Sequence, residues 1–345
     1  MRSTRLPGLD VLRGIAILMV LVRHSPLPDS WWLKQVGWLG VDLFFVLSGF
    51  LVSRLLFQEF EKTGTVRPLR FLIRRGFKIY PSYYVFIGAT ALYPYLMYGR
   101  GYSWKLLVLE SAFVQNYVPA IWIHTWSLAV EEHFYFALAG LTFLFMYRKW
   151  LGQPKIVFSF LTLLWGTVVA LRWLHCQGQP ETFYFFQTHL RADGLILGVG
   201  LAYGVQQYHW KEIIRRWRNR ILPMAVLLCL PAVLWPAGSY VMNVAGLPLI
   251  NLGFALWVGL SLCHTQPTSR WLHPLDSSLR LLGQYSYNVY LWHMLVRLAG
   301  QDWELGTTTF LLLYFTGSLL LGLGATWGIE KPMLKIRDRI WAHYD

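Results

Sequence analysis

The sequence predicts an all-α integral membrane protein of about ten transmembrane helices plus one short re-entrant or interfacial helix. Three observations predict it: an apolar composition, apolar runs of membrane-spanning length, and basic residues confined to the segments between them. Of 345 residues, 55% are hydrophobic and 14% charged, with 18 Trp, 19 Tyr and 21 Phe; a soluble domain carries about a quarter charged residues. The surplus apolar surface needs lipid to cover it. A net charge of +14 would suggest nucleic acid in a soluble protein. Here it orients a chain in a bilayer, and no nucleic-acid partner is expected.

The elements follow in order. Arg2 and Arg5 precede an apolar run from Ile15 to Val22 in the manner of a signal peptide. No small-residue cleavage site follows, and Trp31 and Trp32 suit an interfacial belt, so the segment reads as a retained first span. Spans are expected at 9–25, 36–56, 79–98, 124–147, 156–174, 187–207, 221–237, 247–263, 281–299 and 307–329. Residues 105–118 are too short for a confident crossing, and charge decides their status. If they do not cross, cytoplasmic segments hold 23 of the 31 basic residues, and only Lys34, Arg100 and Lys105 remain in outer loops. Both termini are then cytoplasmic in the cytoplasmic (inner) membrane. With no internal repeat, low-complexity tract or long linker, a single membrane domain is expected over 1–345, with no appended soluble domain.

Charged groups inside a bilayer cost at least about 2.5–3.5 kcal/mol each, so each needs a partner or a task. Arg13 and His24 are eleven residues apart, which puts them on one helical face and about 16 Å apart along the axis. Asp10 lies near the same stripe. Asp42, Glu131 and His24 fall at about one depth, and Arg191, Asp193 and His293 come close to it, so a buried site is expected in the outer half of the bundle. Each residue has a plainer alternative. His24 alone could be a satisfied structural histidine. Asp42 could hold an ion pair, and Arg191 with Asp193 could form an internal salt bridge. Of the adjacent Glu131 and Glu132, about 100° apart on a helix, Glu131 is expected to face the site because Tyr135 extends its face. His124 and His133 are expected to be interfacial or structural.

Arg74, Arg75 and Lys78 could simply neutralise anionic headgroups. They flank the start of a span, however, and Arg13 lies near the same inner face. Together these cations could clamp a phosphorylated ligand from the cytosol. Such a ligand needs an arm of about 15 Å to reach His24, and the pantetheine arm of coenzyme A suits that distance. Ten scattered histidines and the unpaired Cys176, Cys229 and Cys263 show no ligand spacing, so no metal is expected.

These motifs resemble the acyltransferase 3 family of membrane acyltransferases over nearly the whole chain. Leu9-Asp10-Val-Leu-Arg13-Gly14-Ile-Ala with His24 resembles the first-span signature, and Gly40-Val41-Asp42-Leu-Phe-Phe-Val-Leu-Ser48-Gly49-Phe50 the second. Trp126-Ser127-Leu128-Ala-Val-Glu131-Glu132-His-Phe-Tyr135 resembles the central motif. Arg191-Ala-Asp193-Gly-Leu-Ile-Leu-Gly198 and Tyr285-Ser286-Tyr287-Asn-Val-Tyr290-Leu-Trp292-His293 resemble looser later motifs. At the third span the family usually has Arg-Arg-x-x-Arg-Ile-x-Pro. Here Lys78 replaces the last Arg, which weakens a bidentate role at that position.

The resemblance implies transfer of an acyl group, usually acetyl, from cytosolic acyl-CoA to a hydroxyl of a glycan, lipid-linked sugar or other small acceptor at the outer face. His24 is then expected to act as general base or acyl carrier, with Glu131, Asp42 and Tyr135 supporting catalysis. Arg13, Arg74, Arg75 and Lys78 are expected to bind acyl-CoA, and Arg191, Asp193, Tyr290 and His293 the acceptor. Some members carry an extracytoplasmic hydrolase-like domain, so a separate partner could be needed. The alternative is a secondary transporter or flippase, its embedded acids and histidines relaying protons.

Overall fold

The computed structural model describes residues 6–177, 185–263, 272–303 and 306–341, and is helical throughout with no strand among them. Arg2, Arg5 and Arg270, which entered the charge count, lie outside the described residues. The helices are α1 (Pro7–His24), α2 (Trp32–Val36), α3 (Leu39–Thr63), α4 (Pro68–Tyr98), α5 (Trp104–Ser111), α6 (Trp126–Tyr147), α7 (Pro154–Cys176), α8 (Thr188–Arg191), α9 (Asp193–Tyr208), α10 (Trp210–Cys229), α11 (Pro231–Leu234), α12 (Leu247–Ser261), α13 (Leu272–Asp302), α14 (Thr307–Ala325) and α15 (Lys331–Trp341).

Helices overlap each expected span, with breaks in 187–207 at Ala192 and in 221–237 at Leu230 and beyond Leu234, and six helical stretches among the described residues are long and apolar enough to cross a membrane. These six are Trp32–Thr63, Ile123–Tyr147, Pro154–Cys176, Trp210–Leu234, Met242–Ser261 and Thr307–Ile340. Helices that fall short do so for visible reasons. α1 carries Asp10, Arg13 and Arg23 within 18 residues, and α9 has only 16 residues. α4 carries Tyr80, Pro81, Tyr83, Tyr84, Tyr93 and Pro94 inside its span, and α13 carries Gln284, Asn288, His293 and Arg297; both helices also begin earlier than the span. α5 has eight residues, about 12 Å, far less than the roughly 30 Å of a hydrocarbon core. It folds back through Phe113, which adopts φ 58° and stacks on Tyr83 at 4.3 Å.

Two tight crossings set the frame. A side chain at Gly14 would collide with the backbone of Leu279, and one at Gly283 with that of Asp10, so small residues let α1 and α13 touch backbone to backbone. Gly49 and Gly198 do the same for α3 and α9 against Leu195 and Val46. The first crossing sets Arg13 and His24 of α1 facing Ser286 and His293 of α13. The second brings Asp42 of α3 to Arg191, at the end of α8 just before α9. Large parts of α7, α10 and α14 remain outside the packed interior, as lipid-facing helices do.

Candidate active site

A cavity of about 800 Å³, its mouth included, lies between α1, α3, α4, α6 and α13. Three cations line it: Arg13 from α1, and Arg75 and Lys78 one turn apart on α4. Glu131, Ser127 and Tyr290 also line it, whereas Arg74 does not. Arg13 donates to Ser286 Oγ at 3.0 Å. Arg75 donates to Tyr135 Oη at 2.6 Å and lies over the same ring, 4.5 Å from its centroid. Tyr135 in turn donates to Glu131 Oε2 at 2.6 Å and contacts Ser48 Oγ at 2.5 Å. The i, i+4 spacing of Glu131 and Tyr135 on α6 makes this bond local. Glu132 points elsewhere and accepts from Tyr80 at 2.9 Å. No carboxylate among the described residues forms an ion pair with Arg13, Arg75 or Lys78. The cavity therefore holds more positive than negative charge, an arrangement suited to an anion.

Beyond Tyr290 lies a group of three imidazoles. The rings of His24 and His293 are 5.1 Å apart, those of His124 and His293 5.2 Å, and that of Tyr290 stands 5.7 Å from His293. Their partners assign the protons. His293 Nδ1 lies 2.5 Å from Tyr290 O, which can only accept, so Nδ1 carries hydrogen and the neutral ring offers Nε2 as acceptor. That Nε2 is 3.3 Å from His24 Nδ1, which also faces Val20 O at 3.1 Å. His24 Nδ1 is thus the protonated nitrogen of the neutral ring, and Nε2 keeps a bare lone pair. The imidazole takes its hydrogen-bond orientation from His293 and Val20, while Glu131 is engaged by Tyr135. His124 donates from Nε2 to Leu291 O at 3.2 Å, and its buried Nδ1 has no hydrogen-bond partner among the described residues.

Asp42, Arg191 and Asp193 are placed apart from that cavity. Arg191 pairs with Asp42 at 2.7 Å, not with Asp193, and stacks over Trp126 at 5.1 Å. Asp193 pairs instead with Arg172 of α7 at 2.6 Å. Arg172 is fully buried and also donates to Leu190 O and Asn243 O, at 3.0 and 3.1 Å. Only Ala192 separates Arg191 from Asp193, at the break between α8 and α9, so the two side chains reach different helices.

Sequence reasoning missed several members of these groups. Arg172 is the lone charge within the apolar run of α7 from Ile156 to Leu174, and that isolation was a readable signal. His124, expected to be interfacial or structural, is buried, with its ring against His293. Glu110 of α5 bonds Thr125 Oγ1 and accepts from Ile121 N at 3.1 Å, which pins the turn before α6. Ser127, whose Oγ meets Tyr290 Oη at 2.6 Å, sits inside the quoted central motif but had no assigned partner. His133 contacts Thr188 Oγ1 at 2.7 Å, away from the imidazole group.

The family model described as an acyltransferase domain matches residues 6–330, and the chain belongs to the acyltransferase 3 family. Among curated relatives it is similar to the peptidoglycan O-acetyltransferase OatA of Listeria monocytogenes, 27% identical over 328 residues, covering 85% of this chain and 50% of the relative. A putative O-acetyltransferase of Staphylococcus aureus is 28% identical over 320 residues, covering 84% and 50%. The O-acetyltransferase OatA of Staphylococcus aureus is 26% identical over 314 residues, with the same coverage. The chain spans about half the length of the curated relatives it matches. No solved structure matches it.

Proposed function

We propose that this protein transfers an acyl group, acetyl by preference, from cytosolic acyl-CoA to a hydroxyl of a cell-envelope glycan. Membership of the acyltransferase family supports the reaction class. The relatives' printed names, among them a peptidoglycan O-acetyltransferase, support acetyl and an envelope glycan. The observation that carries the reading is the cavity itself: Arg13, Arg75 and Lys78 converge without an ion-pair partner among the described residues, and the His24–His293 pair stands one ring beyond the cavity wall at Tyr290. Along α1, Arg13 and His24 are about 16 Å apart, the reach of a pantetheine arm.

In this reading Arg13, Arg75 and Lys78 hold the phosphates of the donor, with Arg74 at the approach. His24 Nε2 removes the proton of the acceptor hydroxyl, whose oxygen bonds to the thioester carbonyl carbon. As the carbon–sulfur bond breaks, His24 returns that proton to the departing sulfur. His293 Nε2 accepts from His24 Nδ1 throughout and steadies the imidazolium. Glu131 and Tyr135 fix Arg75 and balance charge in the cavity. Tyr290, bonded to Ser127 and to His124 O at 2.6 Å each, positions the wall between donor and imidazole. Asp42 with Arg191, and Asp193 with Arg172, brace the helices around the acceptor side. In the carrier variant His24 Nε2 bonds to the acyl carbon first and then yields it to the acceptor. Trapping acylated His24 with labelled acyl-CoA alone separates the variants.

Ten spans, a single membrane domain, cytoplasmic termini and an inner-membrane location complete the proposal, supported by helices at each expected span and by the basic segments between them. Mass spectrometry of envelope glycans from cells with and without the gene tests the function. One acyl unit of mass lost with the gene is the expected result; unchanged glycans contradict it.

A further inference from the structure

Farther along α6 from the first cavity, between α6, α7 and α9, lies a second, larger cleft of about 1,400 Å³, its mouth included. Its long walls are Leu138 and Leu141 of α6, Leu161 and Leu164 of α7, and Ile196 and Val199 of α9. α6 and α7 meet at the end near their connecting turn, where the tilted rings of Phe145 and Phe160 lie 5.0 Å apart. From there the cleft runs along α6 to His133, twelve residues or about 18 Å away. Side chains are polar at that end. His133 meets Thr188 Oγ1 at 2.7 Å, and Tyr117 Oη meets His189 Nδ1 at 3.0 Å. Ala137 and Thr167 at the rim are exposed, so the cleft opens sideways.

We infer that this cleft binds one hydrocarbon chain of an outer-leaflet bilayer lipid, its head at the His133–His189 end and its terminal methyl at Phe145. Three features select that occupant. A cleft that opens sideways into the bilayer is filled by what surrounds it, and one whose few hydroxyls are already spent on their own helices does not hold water along its length. The depth matches one leaflet of a hydrocarbon core about 30 Å thick. Thr142 and Thr167 also line the cleft, but each hydroxyl is spent on a carbonyl of its own helix, Leu138 O and Leu163 O; the remaining polar groups gather at one end, where a headgroup ester or hydroxyl would sit. Leaflet assignment rests on the orientation proposed above, which places Arg148, Lys149 and Lys155 in the cytosol.

The test uses the full chain in lipid nanodiscs containing a phosphatidylglycerol with a diazirine in one palmitoyl chain, followed by peptide mapping of adducts. Adducts concentrated on Leu141, Leu164 and Val168, competed by unlabelled dipalmitoyl but not by dihexanoyl phosphatidylglycerol, are expected. Leu164→Trp or Ala137→Trp, which fill the cleft, should reduce adducts there at least fivefold, while Leu163→Trp, on the outward face of α7 at 70% exposure, should not. Labelling spread evenly over exposed residues such as Leu163 and Leu320 in the wild-type protein overturns the inference, and needs no variant to fold. Unchanged labelling in both filling variants also overturns it. A membrane-impermeant thiol reagent applied to Gly152→Cys checks orientation separately, and none of these readouts depends on acyl transfer.

Discussion

Two groups of buried charge lie within the same bundle and are built on opposite plans. Around α7, α8 and α9, each cation has its anion: Arg172 with Asp193 and Arg191 with Asp42, all four side chains no more than 5% exposed. Between α1, α4 and α13, Arg13, Arg75 and Lys78 share a cavity with one carboxylate, Glu131, which is bound to a tyrosine and forms no ion pair with any of them. Desolvating a charge is costly unless it is paired and hydrogen-bonded. The first group meets that cost inside the chain and therefore acts as bracing. The second leaves part of it unmet among the described residues, which under the proposed function is the part that the donor's phosphates would meet.

Substitutions sharpen the contrast in order of size. His24→Ala, which removes the lone pair that either catalytic variant requires, should lower acceptor-dependent CoA release by about 10²–10⁴-fold while leaving thermal unfolding in detergent nearly unchanged. Asp193→Leu strands Arg172 in the interior and should destabilise by about 3–5 kcal/mol. Adding Arg172→Met should recover most of that loss, read as the unfolding temperature of the double variant against each single one. Arg75→Gln should do the reverse. It should raise KM for acyl-CoA about tenfold, or about 1.4 kcal/mol, with no loss of stability, since it relieves cationic crowding. Tyr135→Phe, which frees Arg75 and Glu131 from their shared hydroxyl, should give a smaller, several-fold rise through about 1 kcal/mol of lost hydrogen bonding.

The smallest effect belongs outside the membrane. Asp29 is 91% exposed and meets Lys34 Nζ at 2.8 Å, and that ammonium holds its carboxyl below the ordinary carboxylate range. A depressed carboxylate contributes at neutral pH and loses its contribution as pH falls through the lowered value. Solvent screens so exposed a pair. Asp29→Asn should therefore leave the unfolding temperature unmoved at neutral pH, in contrast to Asp193→Leu.

Much of this contrast was legible as types of residue and little of it as pairings. Arg13 and Glu131 stood out because charge in an apolar run needs a reason, Lys78 because it belongs to a basic cluster at the start of a span, and the helical period placed Arg13 and His24 on one face. Which acid meets which base depends on crossings between helices distant in sequence. Arg191 sits beside Asp193 in the chain yet pairs with Asp42, because the break at Ala192 separates them and α3 packs closely on α9. The partner of His24 was equally hidden. His293 reaches it only because Gly14 and Gly283 allow α1 and α13 to touch. Helix limits were misjudged where amphipathic turns prolong a span, as at the start of α4, since hydropathy marks the lipid boundary and not the end of hydrogen bonding.

Equilibrium binding of coenzyme A to the purified protein in detergent tests the central claim most directly, with wild type compared with Arg75→Gln/Lys78→Gln and with the paired-cluster variant Arg172→Met/Asp193→Leu. Loss of at least tenfold in affinity for the cavity variant, with wild-type affinity for the paired-cluster variant, is the predicted result. Equal affinity in all three, or a loss confined to the paired-cluster variant, would contradict it.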